Sequence, residues 1–144
     1  MAAAIAPAVL PVSSTRRARR TGQFVLAAAL ACGPAAAQDL CRGAVTQQDL
    51  NECSHAAYLL ADEELNRAYA AAREAAQGID QGSNGQAEAT LRVAQRAWVA
   101  FRDAACEAEA AFNQGGSIQP MIRSGCLERL TDQRTDDLWA YAER

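Results

Sequence analysis

The sequence predicts an all-α protein, an antiparallel three-helix bundle that two disulfides hold together. Its 144 residues are 50% apolar but only 6% aromatic, and alanine supplies much of the apolar total. Alanine is the best helix former and is depleted in strands, so this composition favours close helix packing over a strand-rich core. Apolar residues recur at three- and four-residue steps in three segments, and no segment alternates with the period of two that a half-buried strand shows.

The first 37 residues have the organisation of a secretory signal rather than of a folded segment. Four arginines between positions 16 and 20 precede an apolar run at residues 24–31, and small residues at 35–37 provide a cleavage site. The apolar run is too short to cross a membrane as a helix, which needs about 20 residues. We therefore expect residues 1–37 to be a cleaved signal peptide. Residues 38–144 would form one mature domain, periplasmic or secreted.

Cleavage at this site makes the exported domain acidic. It removes four of the 14 basic residues and none of the 17 acids, which leaves a net charge of −7. Such a domain repels nucleic acid and anionic membrane surfaces and attracts basic proteins. His55 is the single histidine, so His-based metal sites and histidine-activated nucleophiles are disfavoured. We expect a protein that is not an enzyme and uses no cofactor or metal; the sequence leaves its oligomeric state open.

Each predicted helix has recognisable ends. Thr46 and Asp49 resemble a capping box that opens the first helix near residue 47, and Gly78 is expected to end it ahead of a flexible loop. Pro120 fits the first turn of the third helix, which is expected to start at residues 117–119. The second helix has the clearest apolar stripe, formed by Ala87, Leu91, Ala94, Trp98, Phe101, Ala108 and Phe112 together with Cys106.

The positions of the two loops define a register between the helices. If the chain reverses near residue 82, residue i of the first helix faces about residue 164 − i of the second. If it reverses again near residue 116, residue i of the second helix faces about residue 232 − i of the third. The second relation puts Cys106 opposite Cys126, while Cys41 precedes the first helix closely enough to reach back to Cys53. We favour these two pairings, but all four thiols lie toward one end of the bundle, so the other two connectivities remain open.

Two alternatives concern the cysteines. A zinc site made by the four downstream cysteines is disfavoured because no Cys-x-x-Cys pair exists and an exported protein favours disulfides. The fifth cysteine, Cys32, lies within the signal, and the residues before it match a lipoprotein box poorly. Lipid attachment through Cys32 is therefore the less favoured interpretation.

The same register predicts a polar cluster in the middle of the bundle. It places Asp62 opposite Arg102 and Asn66 opposite Trp98, and it brings Arg134 to this level from the third helix. A buried charge requires a partner, because breaking a buried pair costs about 3–5 kcal/mol. The predicted buried polar cluster consists of Asp62, Asn66, Arg102 and Arg134, with Asp103 or Thr131 nearby. One carboxylate without a second acid, metal or histidine supports little hydrolysis, so we interpret this cluster as structural and assign no catalytic residue.

Exposed residues in the two loops and near the C-terminus are candidates for partner contacts. Loops 78–85 and 113–117 are adaptable in composition, although plain helix connections are the simpler interpretation of both. Leu138 is expected on the buried side of the third helix. Its neighbour Trp139 is therefore expected outside the core, where it could anchor a partner. The candidate partner-binding residues are Asp80, Ser83, Asn84, Asn113 and Trp139.

Three segments of the chain resemble those of a known family. The first contains Cys41, Cys53 and the run ADEELNRAY at residues 61–69; the second contains AQRAWVAFRDAAC at residues 94–106. The third begins with GGSI at residue 115 and continues through CLERLT at residues 126–131. Together these motifs are similar to the LprI-type lysozyme-inhibitor N-terminal domain family of small exported bacterial proteins, over about residues 41–138. The resemblance implies a four-cysteine helical domain for residues 38–144 and brings no catalytic residues with it.

Two functions follow from these observations. The resemblance implies an exported envelope protein that binds and blocks lysozyme-type glycan hydrolases, and the acidic mature domain would attract a basic lysozyme. The alternative is a non-enzymatic periplasmic interaction module whose partner is a different envelope protein. Salt-sensitive binding to lysozyme with loss of lysozyme activity distinguishes the first from the second.

Overall fold

A computed structural model describes residues 41–144, which form three helices and no strand. The helices are α1 (Gln47–Gln81), α2 (Ala87–Ala111) and α3 (Gln119–Ala142). This architecture confirms the all-α prediction. None of these three helices is long and apolar enough to cross a membrane. The expected signal peptide at residues 1–37 and Cys32 lie outside the described residues.

The capping box at the start of α1 forms as the sequence indicates. The Thr46 hydroxyl accepts a hydrogen bond from the Asp49 amide at 3.1 Å, and the Asp49 carboxylate accepts one from the Thr46 amide at 2.9 Å. These hydrogen bonds, first among them the one from the Thr46 backbone, lower the pKa of the Asp49 carboxyl group. The cap thereby satisfies amides that have no partner inside the helix.

The expected end of α1 at Gly78 is wrong, because the helix continues for another turn to Gln81. A glycine inside a helix costs only about 1 kcal/mol relative to alanine, which a long packed helix tolerates. The extra turn carries Asp80 to the start of α2, where its carboxylate accepts hydrogen bonds from the amides of Ala87 at 2.7 Å and Glu88 at 3.1 Å. Asp80 therefore caps α2 from the preceding helix.

The contacts between helices follow the register expected from the loops. Asp62 on α1 meets Arg102 on α2, and closer to the first loop Glu88 meets Arg73, so these helices are antiparallel. Cys106 on α2 is bonded to Cys126 on α3, and this pair of helices is antiparallel as well. α1 and α3 consequently run parallel, and their interface is the most extensive of the three.

Both disulfides have the pairing favoured from the sequence. Cys41 is bonded to Cys53 and Cys106 to Cys126, with Cα–Cα distances of 5.4 and 5.5 Å. The second disulfide is buried with Leu127 and links α2 to α3 across a separation of 20 residues. A crosslink of this length stabilises a fold by about 3 kcal/mol in the chain-entropy model.

The core is built around small side chains on α1. Its buried apolar residues are Cys53, Ala57, Ala61, Leu65, Ala68, Ala72 and Ala76. Leu65 and the last three alanines form one cluster with Leu91 of α2 and Leu138 of α3. Because alanine is short, the neighbouring helices can approach α1 closely, and the few leucines fill the space that remains.

The buried face of α2 differs from the expected stripe. Leu91 and Cys106 are buried as expected, but Gln95, Arg102 and Ala110 are also buried, and Trp98 is half-buried. Ala94, Phe101, Ala108 and Phe112, which were expected in the core, are exposed. After Trp98, the next buried position is thus Arg102, four residues on, rather than Phe101. The physical reason is that polar partners on α1 and α3 stabilise the buried guanidinium group.

Candidate partner-binding surface

Arg102 is the polar centre of the bundle. Its residue is only 6% exposed, and its guanidinium group donates hydrogen bonds to Asp62 at 3.1 Å, Asp103 at 3.0 Å and the Thr131 hydroxyl at 3.3 Å. The same group lies 5.5 Å from the ring centroid of Tyr58 and 5.2 Å from that of Trp98. One side chain on α2 is therefore bound to residues of all three helices.

The surroundings of Arg102 keep it charged. Burial acts to lower the pKa of its guanidinium group, but the hydrogen bond that it donates to Asp103, the proximity of Tyr58 and the hydrogen bond that it donates to Asp62 raise the pKa above its ordinary value. A permanently protonated arginine cannot act as a base. The contacts of Arg102 with Asp62 and Asp103 are those of structural ion pairs.

The structure brings together only part of the predicted buried polar cluster. Asn66 is exposed, so its expected burial is wrong: its side chain lies on the solvent side of Asp62 and donates to the Asp62 carbonyl at 2.8 Å and carboxylate at 3.3 Å. Arg134 is half-buried and donates to the side-chain oxygen of buried Gln95 at 3.0 Å. Asp62 and Arg102 therefore meet, Asn66 supports Asp62 from outside, and Arg134 makes a separate contact.

The predicted loop candidates lie at opposite ends of the bundle. Besides Asp80, which caps α2, Ser83 donates to the Ile79 carbonyl at 3.0 Å, and Asn84 is exposed. At the other end, the carbonyl of half-buried Asn113 accepts a hydrogen bond from the Gly116 amide at 2.9 Å. These contacts stabilise the two turns, and the two loops cannot form a single continuous surface.

Trp139 lies away from both loops, at the edge between α1 and α3. Its residue is 36% exposed, and its indole NH donates to the Glu64 carboxylate at 3.1 Å. Glu64 also forms an ion pair with Arg67 one turn further along α1. The indole ring is thus held at the α1–α3 edge with part of its surface in solvent.

An open groove of about 470 Å³ lies between α1 and α3, next to the Cys41–Cys53 disulfide. Ser54 on α1 donates to the Met121 carbonyl on α3 at 3.2 Å and so joins the two helices at this groove. The lining is mostly apolar and comprises Cys41, Leu50, Cys53, Ser54, Ala57, Met121 and Glu128. Glu128 is the only charged side chain in that lining.

A row of carboxylates continues from this groove along α3. Glu128, Asp132 and Asp136 follow one another at four-residue spacing, and Trp139 comes three residues later on the same side of the helix. We call the groove, these three acids and Trp139 the acidic face. Partial burial, and then the neighbouring acid, raise the pKa of the Glu128 and Asp132 carboxyl groups.

The acids of this row have no compensating cation within residues 41–144. None of the ion pairs in this part of the chain involves Glu128, Asp132 or Asp136. Like charges four residues apart on a helix are destabilising by about 0.2–0.5 kcal/mol for each pair. The row therefore weakens the isolated fold slightly while leaving negative charge beside an apolar groove.

The acidic face was not among the residues predicted from sequence, apart from Trp139. The four-residue spacing of its acids is visible in the sequence, but it is equally typical of an ordinary solvated helix side. The missing information was that this side of α3 lies beside a groove. No cluster of potential metal ligands occurs among the described residues.

The fold and this surface define a disulfide-linked three-helix domain with an apolar groove flanked by a row of acids. The family model described as Lysozyme inhibitor LprI matches residues 41–138, and the chain belongs to this family. The chain is also 45% identical over 105 residues to the uncharacterized protein R02472 of Rhizobium meliloti (strain 1021), a match that covers 68% of this chain and 75% of the relative. No solved structure matches the chain significantly.

A double-mutant cycle tests whether Arg102 and Asp62 act as a pair. We expect Asp62→Ala and Arg102→Ala to be non-additive in the free energy of unfolding, with a coupling of about 0.5–3 kcal/mol. The measurement is urea unfolding of the four proteins of the cycle. Asp137→Ala provides a matched control, since Asp137 has no contact with Arg102, and it should combine additively with Arg102→Ala. Additivity of Asp62→Ala and Arg102→Ala would contradict the structural role assigned to the pair.

The raised pKa of Glu128 predicts a pH-dependent gain in stability on its neutralisation. A group whose folded-state pKa is raised contributes stability that is present below its unfolded pKa and is lost as the pH rises through the folded value. Glu128→Gln should therefore match the parent protein below about pH 4, near the unfolded pKa of glutamate. At neutral pH it should be more stable by about 0.2–0.5 kcal/mol. Unfolding curves across this pH range check the prediction, and a difference that is independent of pH would contradict it.

Proposed function

We propose that this protein is an exported inhibitor that binds basic, lysozyme-type glycan hydrolases through the acidic face. The observation that carries the proposal is the row of Glu128, Asp132 and Asp136, which runs from an apolar groove and has no ion pair within the described residues. Membership of the Lysozyme inhibitor LprI family supports the same class of target.

Charge supports the encounter between the two proteins. Removal of residues 1–37 would leave a domain with a net charge of −7. Complementary charge raises the association rate and fixes the orientation of partners, and its effect decreases as salt increases. A basic hydrolase would therefore be attracted at long range and oriented at short range by the acidic row.

The groove supports contact after encounter. Lysine and arginine bury their methylene stems against apolar surface while their charged ends reach a carboxylate. Leu50 and Met121 offer such apolar surface, and Glu128 offers the carboxylate beside it. Exposed Trp139 adds an aromatic contact of the kind that often dominates binding energy.

The proposed mode of inhibition is steric. Glycan hydrolases of this type carry two catalytic carboxylates in their cleft, and these would repel an acidic inhibitor. The acidic face would therefore bind basic side chains on the rim of the cleft and exclude the glycan. No chemical step by the inhibitor is required, and we propose a non-enzymatic protein without a cofactor.

An oxidising compartment is part of this proposal. The two disulfides of the described domain fit a periplasmic or secreted protein. Cleavage of a signal peptide at residues 1–37 would release the domain into that compartment. Attachment through Cys32 remains the less favoured alternative.

The proposal predicts that neutralising the acidic face weakens inhibition. We expect the triple variant E128Q/D132N/D136N to lose about tenfold or more in affinity for a basic lysozyme at low salt, because three attractive charges are removed. The difference should decrease at high salt. The measurements are calorimetric binding and lysozyme activity on cell walls, with the oxidised protein purified after export.

A matched control separates this surface from net charge alone. The variant E74Q/D137N/E143Q removes the same charge from three exposed acids outside the acidic face and should retain most of the affinity. Equal losses in both triple variants would contradict a specific acidic face. Absence of inhibition by the parent protein would overturn the lysozyme proposal in favour of an interaction module with a different envelope partner.

A further inference from the structure

A small cavity of about 260 Å³ lies between α2 and α3. We call it the α2–α3 cavity; it is separate from the acidic face, which lies between α1 and α3. Its apolar lining includes Leu91 of α2 together with Leu138 and Tyr141 of α3. The two leucines belong to the core cluster, and Tyr141 packs against that cluster. The α2–α3 cavity therefore has an apolar wall that the core holds in place from two helices.

Three charged side chains of α3 line the same cavity: Arg134, Asp137 and Arg144. None of the ion pairs within residues 41–144 involves any of the three. Two positive charges and one negative charge leave the lining with a net charge of +1. A guanidinium group presents a planar fork of donors that matches a carboxylate or a phosphate. The lining is therefore suited to an anion that also has apolar surface.

Neutral neighbours hold both arginines. Arg134 donates from Nε to the side-chain oxygen of buried Gln95 at 3.0 Å, and this bond leaves the donors of its two Nη atoms for another acceptor. The guanidinium group of Arg144 lies 5.9 Å from the ring centroid of Tyr141. Neither contact cancels a positive charge. Both reduce the freedom that the arginines would lose on binding a ligand, which favours affinity.

We propose that the α2–α3 cavity binds a small monocarboxylate with an apolar body, of about the size of an N-acyl amino acid. One negative charge balances the net charge of the lining, whereas the nearly two charges of a phosphate group would leave an excess beside Asp137. The carboxylate accepts hydrogen bonds from Arg134 and Arg144, and the apolar body packs on Leu91 and Leu138. Drug-sized ligands occupy pockets of roughly 300–1,000 Å³, so this smaller cavity suits a smaller molecule.

Titration of the isotope-labelled, oxidised, exported protein with N-acetyl-L-leucine tests the proposal by NMR. At the efficiency usual for small ligands, this probe of twelve non-hydrogen atoms has a Kd of about 2 mM. Saturable chemical-shift changes are expected at Leu91, Leu138 and Tyr141. N-acetyl-L-leucinamide, which has the same body without the charge, should bind at least about tenfold more weakly.

Two sources can supply this chemistry, a free N-acyl amino acid and the C-terminal residue of a peptide. A pentapeptide that ends in leucine with a free carboxylate separates them. Binding as tight as that of N-acetyl-L-leucine, or tighter, supports the proposal with a chain end as the source. Exclusion of the peptide while N-acetyl-L-leucine binds supports it with a free small molecule as the source.

Charge variants should change the affinity for N-acetyl-L-leucine in opposite directions. Arg134→Gln should weaken binding about tenfold through loss of a charge-assisted hydrogen bond, and Arg144→Gln, at the exposed end of α3, tests the same role with less risk to folding. Asp137→Asn should strengthen binding at least about twofold, because it removes a repelling charge. Arg96→Gln is the matched control: Arg96 is exposed on α2 outside the cavity, and its replacement should leave the affinity unchanged.

The proposal is overturned if N-acetyl-L-leucine causes no saturable shift change up to about 20 mM, ten times the expected Kd. It is also overturned if the amide binds equally, if folded Arg134→Gln and Arg144→Gln both bind as the parent does, or if Asp137→Asn weakens binding. Equal losses in Arg96→Gln and Arg144→Gln would likewise contradict it. Circular dichroism verifies the folding of each variant. None of these outcomes depends on lysozyme, so they are distinct from a failure of the proposed function.

Discussion

The arrangement of the bundle depends on one constraint: the buried guanidinium group of Arg102 must have hydrogen-bond partners. Removing a guanidinium group from water is costly unless carboxylates and hydroxyls replace the lost hydration. Those groups come from Asp62 on α1, Thr131 on α3 and Asp103 on α2 itself. Asp103 moves with Arg102 when α2 turns, but the rotation of α2 about its axis must bring Arg102 to both Asp62 and Thr131. These two contacts select which side of the alanine-rich helix enters the core.

That rotation separates two surfaces with different chemistry. Phe101 and the alanines at positions 94, 97, 104 and 108 of α2 are exposed to solvent, where they form an uncharged strip. On the other two helices, the close parallel packing of α1 and α3 leaves a groove beside the Cys41–Cys53 disulfide. Glu128 brings a carboxylate to that groove, and the next two acids extend the charge along α3. One surface thus carries negative charge beside an apolar groove, and the other is uncharged.

Sequence reasoning predicted what depends on spacing along the chain. The lengths of the loops placed Asp62 opposite Arg102 and Cys106 opposite Cys126, because antiparallel helices joined by short loops have a nearly fixed register. The buried side of α2 was harder to predict, since Phe101 is far more apolar than Arg102 and pattern alone favours burying it. Arg102 is buried in its place because its hydrogen-bond partners Asp62 and Thr131 come from distant segments of the chain. The end of α1 beyond Gly78 depended in the same way on a distant contact, the capping of α2 by Asp80.

Residue-resolved NMR of the labelled, exported protein titrated with a basic lysozyme tests the central claim most directly. Binding through the acidic face predicts chemical-shift changes at Ala57, Glu128 and Asp132 and at the Trp139 indole, with the outward face of α2 unchanged near Phe101. Changes centred on the two loops, or on the outward face of α2, would contradict the assignment of the acidic face as the binding surface.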